Sequence, residues 1–269
     1  QDELARFRDE LVIDDPDLIY LDGNSLGRLP NRTVERLSAV VEKEWGRRLI
    51  RGWNEGWVDA SQRIGAKIAR VIGAQPDEVI VCDSTSVNLF KLVMAALQAR
   101  PDRRRIVSDE LNFPSDLYVL SGAIRLAGSG YRLDLAASAD GITVSDDALD
   151  RIIDRDTAIV ALTHTTFKSG FVYDLDTVTD MAHRAGTLVL WDLCHSVGVM
   201  PLGLNAAGVD LAVGCTYKYL NGGPGAPAFL FVRRALHEQL DSPIWGWFGQ
   251  RSQFNFDTSY EAAAGVLRF

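Results

Sequence analysis

The sharpest chemical signal in the sequence is the run LAVGCTYKYLNGGPG. In it Lys218 follows an apolar stretch, stands between Tyr217 and Tyr219, and precedes a glycine-rich turn. An amine carried to the end of a buried strand is poorly hydrated, so its pKa falls and it becomes suited to Schiff-base chemistry. Glycines beyond it let backbone approach closely. The plainer reading is a lysine whose stem covers apolar surface while its head reaches water. Of the five lysines, Lys43, Lys67 and Lys91 fall in helical stretches among charged or amphipathic neighbours and Lys168 in a loop, which leaves Lys218 as the candidate nucleophile.

Other polar groups also stand where apolar runs end. Ser84-Thr85-Ser86 follows VIVCD at a helix start, where hydroxyls and free backbone N–H groups point one way; this is either an anion site or an ordinary helix cap. Thr163-His164-Thr165-Thr166 follows TAIVAL and leaves the same two readings. Asp192 closes the apolar run TLVLWD, where a carboxylate is costly without a cationic partner or hydrogen-bond donors. A structural ion pair satisfies that requirement as well as a functional one. His195, three residues on, reads either as a site residue or as a satisfied core histidine, and no third ligand at a recognisable spacing supports a metal. Gly23-Asn24-Ser25-Leu26-Gly27 matches the G-x-S-x-G nucleophile elbow. Pro30 follows too soon for the helix an elbow serine must enter, and only the short run IYLD precedes it. A GxxxxGK[ST] phosphate loop is absent from the sequence.

The elements that must position these residues read as alternating strands and helices. Apolar or β-branched runs at 79–83, 105–109, 157–164, 187–194, 211–218 and 228–232 are separated in the main by helical stretches. Nearly all-apolar strands in such an alternation predict an α/β fold with a mostly parallel central sheet covered by helices on both faces. In these sheets ligands sit at the carboxyl ends of the strands. A helical lead, about 31–49 and 61–72, introduced by IYLD at 19–22, reads as an arm. The expected division is an N-terminal arm over 1–60 and one continuous domain over 61–269. With 269 residues, 47% of them hydrophobic, the chain can bury a sizeable core. Its net charge of -8 argues against nucleic acid and anionic membrane surfaces as partners. No run of about 18 apolar residues occurs, and the charged start QDELARFRDE lacks a secretory pattern. A soluble, cytoplasmic protein is expected. Cys82, Cys194 and Cys215 read as reduced thiols of a cytosolic protein, packed as small apolar residues.

The order of a hydroxyl cluster, an acid after an apolar strand and a lysine 26 residues later resembles the fold-type-I pyridoxal-phosphate (PLP) enzymes of the aminotransferase class V group. Finer motifs extend the likeness. YLDGNSLGRLP, RGWNEGW, STSVNLF, NFPSD, WDLCHSVG, TYKYLNGGPG and GWFG resemble, in order and over about residues 19–249, those of the kynureninases.

That resemblance implies a task for each polar group. Lys218 would carry the cofactor as a Schiff base. Thr85, Ser86 and Thr163 would hold its phosphate or ring together with the Tyr217 hydroxyl. Phe113 would stack on the ring, Asp116 would bond to its polar edge, and Asp192 would pair with the pyridinium nitrogen. His195 and Trp247 would complete the pocket, Trp247 by reaching a neighbouring subunit's site. The implied catalytic residues are Lys218, Tyr217 and Asp192. The implied reaction is hydrolysis of L-kynurenine, or its 3-hydroxy form, to an anthranilate and L-alanine in tryptophan catabolism. The implied assembly is a homodimer. Other class V chemistry, that of a cysteine desulfurase or selenocysteine lyase, and a catalytically incomplete cofactor-binding fragment are the alternatives. The family also carries a small C-terminal domain with an arginine for the substrate carboxylate. The sequence ends at VLRF before reaching it, so Arg268 is not given that role. A segment of a longer chain is therefore expected, with a large apolar surface bare near its end.

Overall fold

The computed structural model describes residues 2–269. Seven strands form one sheet in the order β1-β7-β6-β5-β4-β2-β3. They are β1 (Val79–Val81), β2 (Arg105–Asp109), β3 (Arg132–Ala136), β4 (Thr157–Thr163), β5 (Leu188–Asp192), β6 (Leu211–Gly214) and β7 (Phe229–Val232). All neighbours pair in parallel except β7, which runs against both β1 and β6. The sequence explains the exception. No helix separates β6 from β7, and a parallel return needs a crossover that this connection does not supply.

Strict alternation along each inner strand feeds two helical layers. Val79, Val81, Val107, Val160, Leu162, Val189, Trp191, Ala212, Phe229 and Phe231 face one layer, built on α2 (Ala60–Ile72), α5 (Asp146–Asp150) and α6 (Leu175–Arg184). Their neighbours Ile80, Ile106, Ile159, Ala161, Leu188, Leu190, Leu211, Val213, Leu230 and Val232 face the other, built on α3 (Thr85–Ala99) and α4 (Pro114–Ala127). Successive strand side chains point to opposite faces, so an all-apolar strand must be covered twice. Local signals set the helix ends. Ser84 caps α3, its Oγ accepting from the Val87 N–H at 3.4 Å; Asp174 caps α6 through Thr177 N–H at 2.7 Å; Pro114 opens α4.

Two readings of the sequence are corrected. IYLD forms no strand; Ile19 and Leu21 are exposed, and the chain runs on into a turn that meets the loop after β6. β3 was not among the expected strands. It is an edge strand whose Arg132 and Asp134 break the apolar pattern while pairing with each other and with Arg105, as edge strands commonly do. The arm holds α1 (Asn31–Ala39), a π-helical stretch Val40–Arg48 and a 3-10 turn Leu49–Trp53; α1 and the π stretch bury no residue.

Near the end of the chain Trp245, Phe248, Phe254 and Phe256 are bare, as are Ile19, Leu21, Trp45 and Ile50 of the arm. The last residues themselves are covered: Val266 and Arg268 are buried, and Arg268 bonds to Asp241, Leu240 O and Ala263 O.

Phe229 tests the double-faced core. Its ring fills the space left by Gly214, where a Cβ would stand 2.5 Å from ring atoms. Replacing Phe229 with Ala in the full-length protein is expected to cost about 3–5 kcal/mol, read as a lower urea midpoint with an unchanged slope.

Candidate active site

Because six strands run the same way, their carboxyl ends meet along one edge of the sheet, where a cavity of about 190 Å³ opens. That exceeds the roughly 150 Å³ void that admits benzene, so a six-membered ring fits. Its walls are Ser84, Thr85 and Ser86 after β1; Phe113, Ser115 and Asp116 after β2; Asp192, Cys194 and His195 at the end of β5; and Tyr217 and Lys218 after β6.

The turn before α3 is built by its own side chains. Asp83 takes a positive φ of 45°. Its carboxylate accepts from Lys91 Nζ at 2.7 Å, and the lysine also donates to Phe269 O. Asn88 Nδ2 donates to Cys82 O at 2.8 Å. This braces the start of α3, whose first amides have no partner within the helix and face the cavity with the hydroxyls of Thr85 and Ser86. Lys91 is thus not one of the amphipathic helix lysines that the sequence suggests. It is 2% exposed, more deeply buried than Lys218 at 8%. What separates the two is company, since Lys91 has a carboxylate while Lys218 Nζ lies 2.8 Å from His195 Nε2.

Lys218 stands four residues beyond the end of β6, in the loop that returns to β7. Its Nζ lies 5.9 Å from the Phe113 ring centroid and 5.7 Å from that of Tyr217. Phe113 is held edge-on by Phe167, with centroids 5.0 Å apart. Burial, then the adjacent lysine, lowers the pKa of His195, whose Nε2 lies within hydrogen-bond distance of the lysine amine. Burial raises Tyr217 to about 12, so its phenol keeps its proton at neutral pH.

Asp192 and Asp116 face each other on the cavity floor. Asp192 Oδ1 accepts from the Cys194 N–H at 2.8 Å. Burial, and then the charge of Asp192, hold Asp116 well above the usual carboxylate range. Cys194 Sγ accepts from the Cys215 N–H at 3.1 Å, and Thr85 Oγ1 lies 3.6 Å from the same sulfur. Its hydrogen bond with Cys215, together with burial, raises the Cys194 pKa and keeps it a thiol.

Of the residues singled out from sequence, the cavity brings together Thr85, Ser86, Phe113, Asp116, Asp192, His195, Tyr217 and Lys218. Thr163 and Trp247 are not among its walls. The Thr163 hydroxyl turns to Thr165 O at 3.3 Å, and its β4 position pairs with Asp192 through the backbone register. Trp247 packs against Trp53, Phe254 and Phe256, its indole N–H donating to Gln253 O at 2.6 Å. Ser115 and Cys194 went unassigned in the sequence. Their proximity to Asp116 and Asp192, one and two residues away, was the available signal. Nothing in the sequence pointed to Phe167. Among the described residues no cluster of three or more His, Cys, Asp or Glu is arranged to hold a metal, and no helix is long and apolar enough to cross a membrane.

Solved structures share this architecture. A C-DES mutant with glycine covalently linked to its PLP cofactor matches with a TM-score of 0.81 at 16% identity, over 94% of this chain and 66% of that one. The cysteine desulfurase CsdA of Escherichia coli matches at 0.78 with 18% identity, over 98% and 66%. At such identities the likeness is one of fold. The aminotransferase class-V family model matches residues 19–259, and the chain belongs to that family. Over 274 aligned positions it is 44% identical to the kynureninase of Pseudomonas fluorescens and 43% identical to that of Burkholderia mallei (strain SAVP1). Each alignment takes in all of this chain, which spans 64% of the length of these curated relatives.

The carboxyl pair makes stability depend on pH. An acid whose pKa is higher folded than unfolded binds its proton more tightly in the folded state, so stability falls as pH rises from its unfolded pKa, about 3.9, through the raised value. An Asp116→Asn variant removes that penalty. The cofactor-free variant is expected to melt higher than the parent at pH 7. The gap should close as pH is lowered toward about 4, which thermal melts across that range would measure.

Proposed function

We propose that residues 61–269 are the PLP-binding domain of a kynureninase, with residues 1–60 as an arm, and that the whole protein works as a cytoplasmic homodimer. The observation that carries the reading is one cavity holding a lysine amine, a pair of facing carboxyl groups and the hydroxyl-lined start of a helix. The identity to kynureninases along the whole chain supports the same reaction for the whole protein.

These residues fit the cofactor. The start of α3, with Thr85 and Ser86, suits a phosphate dianion, and the Tyr217 hydroxyl would complete that end. Asp192, held by Cys194 N–H, suits a protonated ring nitrogen, whose charge would also offset the repulsion between Asp192 and an ionised Asp116. Asp116 would bond to the ring's polar edge, Phe113 would stack on the ring, and His195 would complete the pocket beside Lys218. PLP, when bound, supplies a ring that takes up the electrons left on the substrate carbon.

The proposed reaction is hydrolysis of the Cβ–Cγ bond of L-kynurenine or 3-hydroxy-L-kynurenine to anthranilate or 3-hydroxyanthranilate and L-alanine. Lys218 carries the Cα proton, with His195 Nε2 in reach to hold its amine in place. Water adds to the γ-carbonyl and its oxygen leaves in the anthranilate carboxyl, while Tyr217, protonated at neutral pH, donates a proton to Cβ of the alanine fragment. The bare apolar side chains of the arm and of the segment bearing Trp245, Phe248 and Phe256 support a dimer interface, across which Trp247 approaches the partner's site.

Full-length protein loaded with PLP is expected to convert L-kynurenine to fluorescent anthranilate, and borohydride reduction should leave the pyridoxyl label on Lys218. Label on Lys91 or Lys168 would overturn the assignment. Asp192→Asn is expected to slow turnover on the order of 10²-fold or more with little change in melting temperature; near-normal turnover would make the carboxylate merely structural.

A further inference from the structure

The turn Gly23-Asn24-Ser25-Leu26-Gly27 has no task in the chemistry above and is not among the walls of the cavity. It lies instead against the loop that carries Lys218. The Gly27 N–H donates to Tyr217 O at 3.0 Å. A Cβ on Gly27 would stand 2.1 Å from Lys218 O and 2.0 Å from Asn221 Oδ1, distances no side chain tolerates. The φ of Gly27 is not in the left-handed region, so the absence of a side chain answers to space alone. Gly23 is under no such constraint, since a Cβ there would meet the Tyr219 ring at an ordinary 3.6 Å.

The turn is internally held. Tyr20 Oη donates to Leu26 O at 2.7 Å, Ser25 Oγ donates to Asp22 Oδ1 at 2.8 Å, and the amides of Ser25 and Leu26 donate to Asp22 O at 3.0 and 3.2 Å. On the other flank of the lysine loop Gly198 packs against Tyr219 O, 3.1 Å from its would-be Cβ. Gly27 thus meets the backbone at Tyr217 and Lys218, and Gly198 meets it one residue further on, at Tyr219. Such a grip matters because the lysine has a flexible four-carbon stem, and the loop beyond it is rich in glycine.

We propose that Gly27 is a positioning residue: the arm's turn clasps the backbone of Lys218 and fixes the direction from which its amine enters the cavity. The proposal rests on the reading of Lys218 as the cofactor lysine. A reacting group misplaced by about 1 Å can cost on the order of 10²-fold in rate, so a hydrogen bond to the carbonyl of the Tyr217–Lys218 peptide acts next to the lysine's own Cα.

The test uses the full-length protein and compares Gly27→Ala with Gly65→Ala. Gly65 lies on α2, away from the cavity, where a Cβ would stand 2.3 Å from Val79 O. It thus supplies a matched steric insult without contact to the lysine loop. Two readouts are followed beside thermal melting. One is the acetylation rate of Lys218 in cofactor-free protein, by trace acetic anhydride and peptide mapping, with exposed Lys67 as the internal reference. The other is the pH midpoint of the absorbance of PLP-loaded protein.

Gly27→Ala is expected to change the Lys218 acetylation rate by roughly tenfold and to shift the absorbance midpoint, while Gly65→Ala lowers the melting temperature and leaves both at the parent values. If Gly27→Ala only lowers the melting temperature, the turn is packing and the proposal fails. Tyr20→Phe adds no atom and loosens the turn, so it covers the case in which Gly27→Ala does not fold. A smaller change in both readouts is expected from it, and parent values for both would count against the clasp. Should PLP label a different lysine in the parent, the cofactor reading falls. The acetylation comparison still decides whether Gly27 positions Lys218.

Discussion

Two carboxyl groups, Asp116 and Asp192, meet on the floor of a cavity too dry to hold both as free anions, and the arrangement of the site follows from that conflict. Burial makes each charge expensive and nearness makes the second dearer still. The chain resolves the conflict by raising the pKa of Asp116 and giving Asp192 a backbone donor, the Cys194 N–H. A ligand that brings a cationic N–H to Asp192 is favoured there. The same edge supplies the opposite preference a short way off, where the start of α3 and its hydroxyls favour an anion. A molecule with a cationic ring at one end and a phosphate at the other matches both poles at once.

The two buried lysines show how context divides one side chain between structure and chemistry. Lys91 is enclosed with Asp83 and the Phe269 carbonyl and stiffens the turn that feeds α3. Removing its partner would leave an uncompensated buried charge, the costly half of any buried ion pair. Lys218 has aromatic faces and a neutral imidazole in place of a carboxylate. Asp116 and Asp192 share its cavity, but among the described residues neither forms an ion pair with its amine, which stays available to react.

Much of this was legible in the sequence because inner strands buried on both faces must be apolar throughout, so the polar residue that ends each one stands out. Asp192 after TLVLW and Ser84 after VIVCD were visible for that reason. β3 was hidden by Arg132 and Asp134, which belong on an edge. IYLD looked like a strand because Ile19, Tyr20 and Leu21 are apolar, yet no strand stands beside it to pair with. The burial of Lys91 was invisible because its partners come from the turn before α3 and from the far end of the chain. The path of the Thr163 hydroxyl depended on the turn at Thr165, which periodicity does not encode. Most of the site residues were found through a family resemblance in ordered motifs, whereas their mutual geometry, above all the approach of Asp116 to Asp192, needed coordinates.

The order of strands in space carries a consequence for how the chain comes off the ribosome. β1, residues 79–81, pairs only with β7, residues 229–232, so the first strand made waits for the last. Until then Ile80 and Val81 have no strand beside them, and the start of α3 has no fixed place relative to Lys218. Contacts so far apart in sequence are slow to form and leave apolar surface open to wrong partners in the meantime. A ribosome stalled between β6 and β7 would therefore hold a chain with most of its sheet and no working edge, the kind of intermediate on which chaperones act.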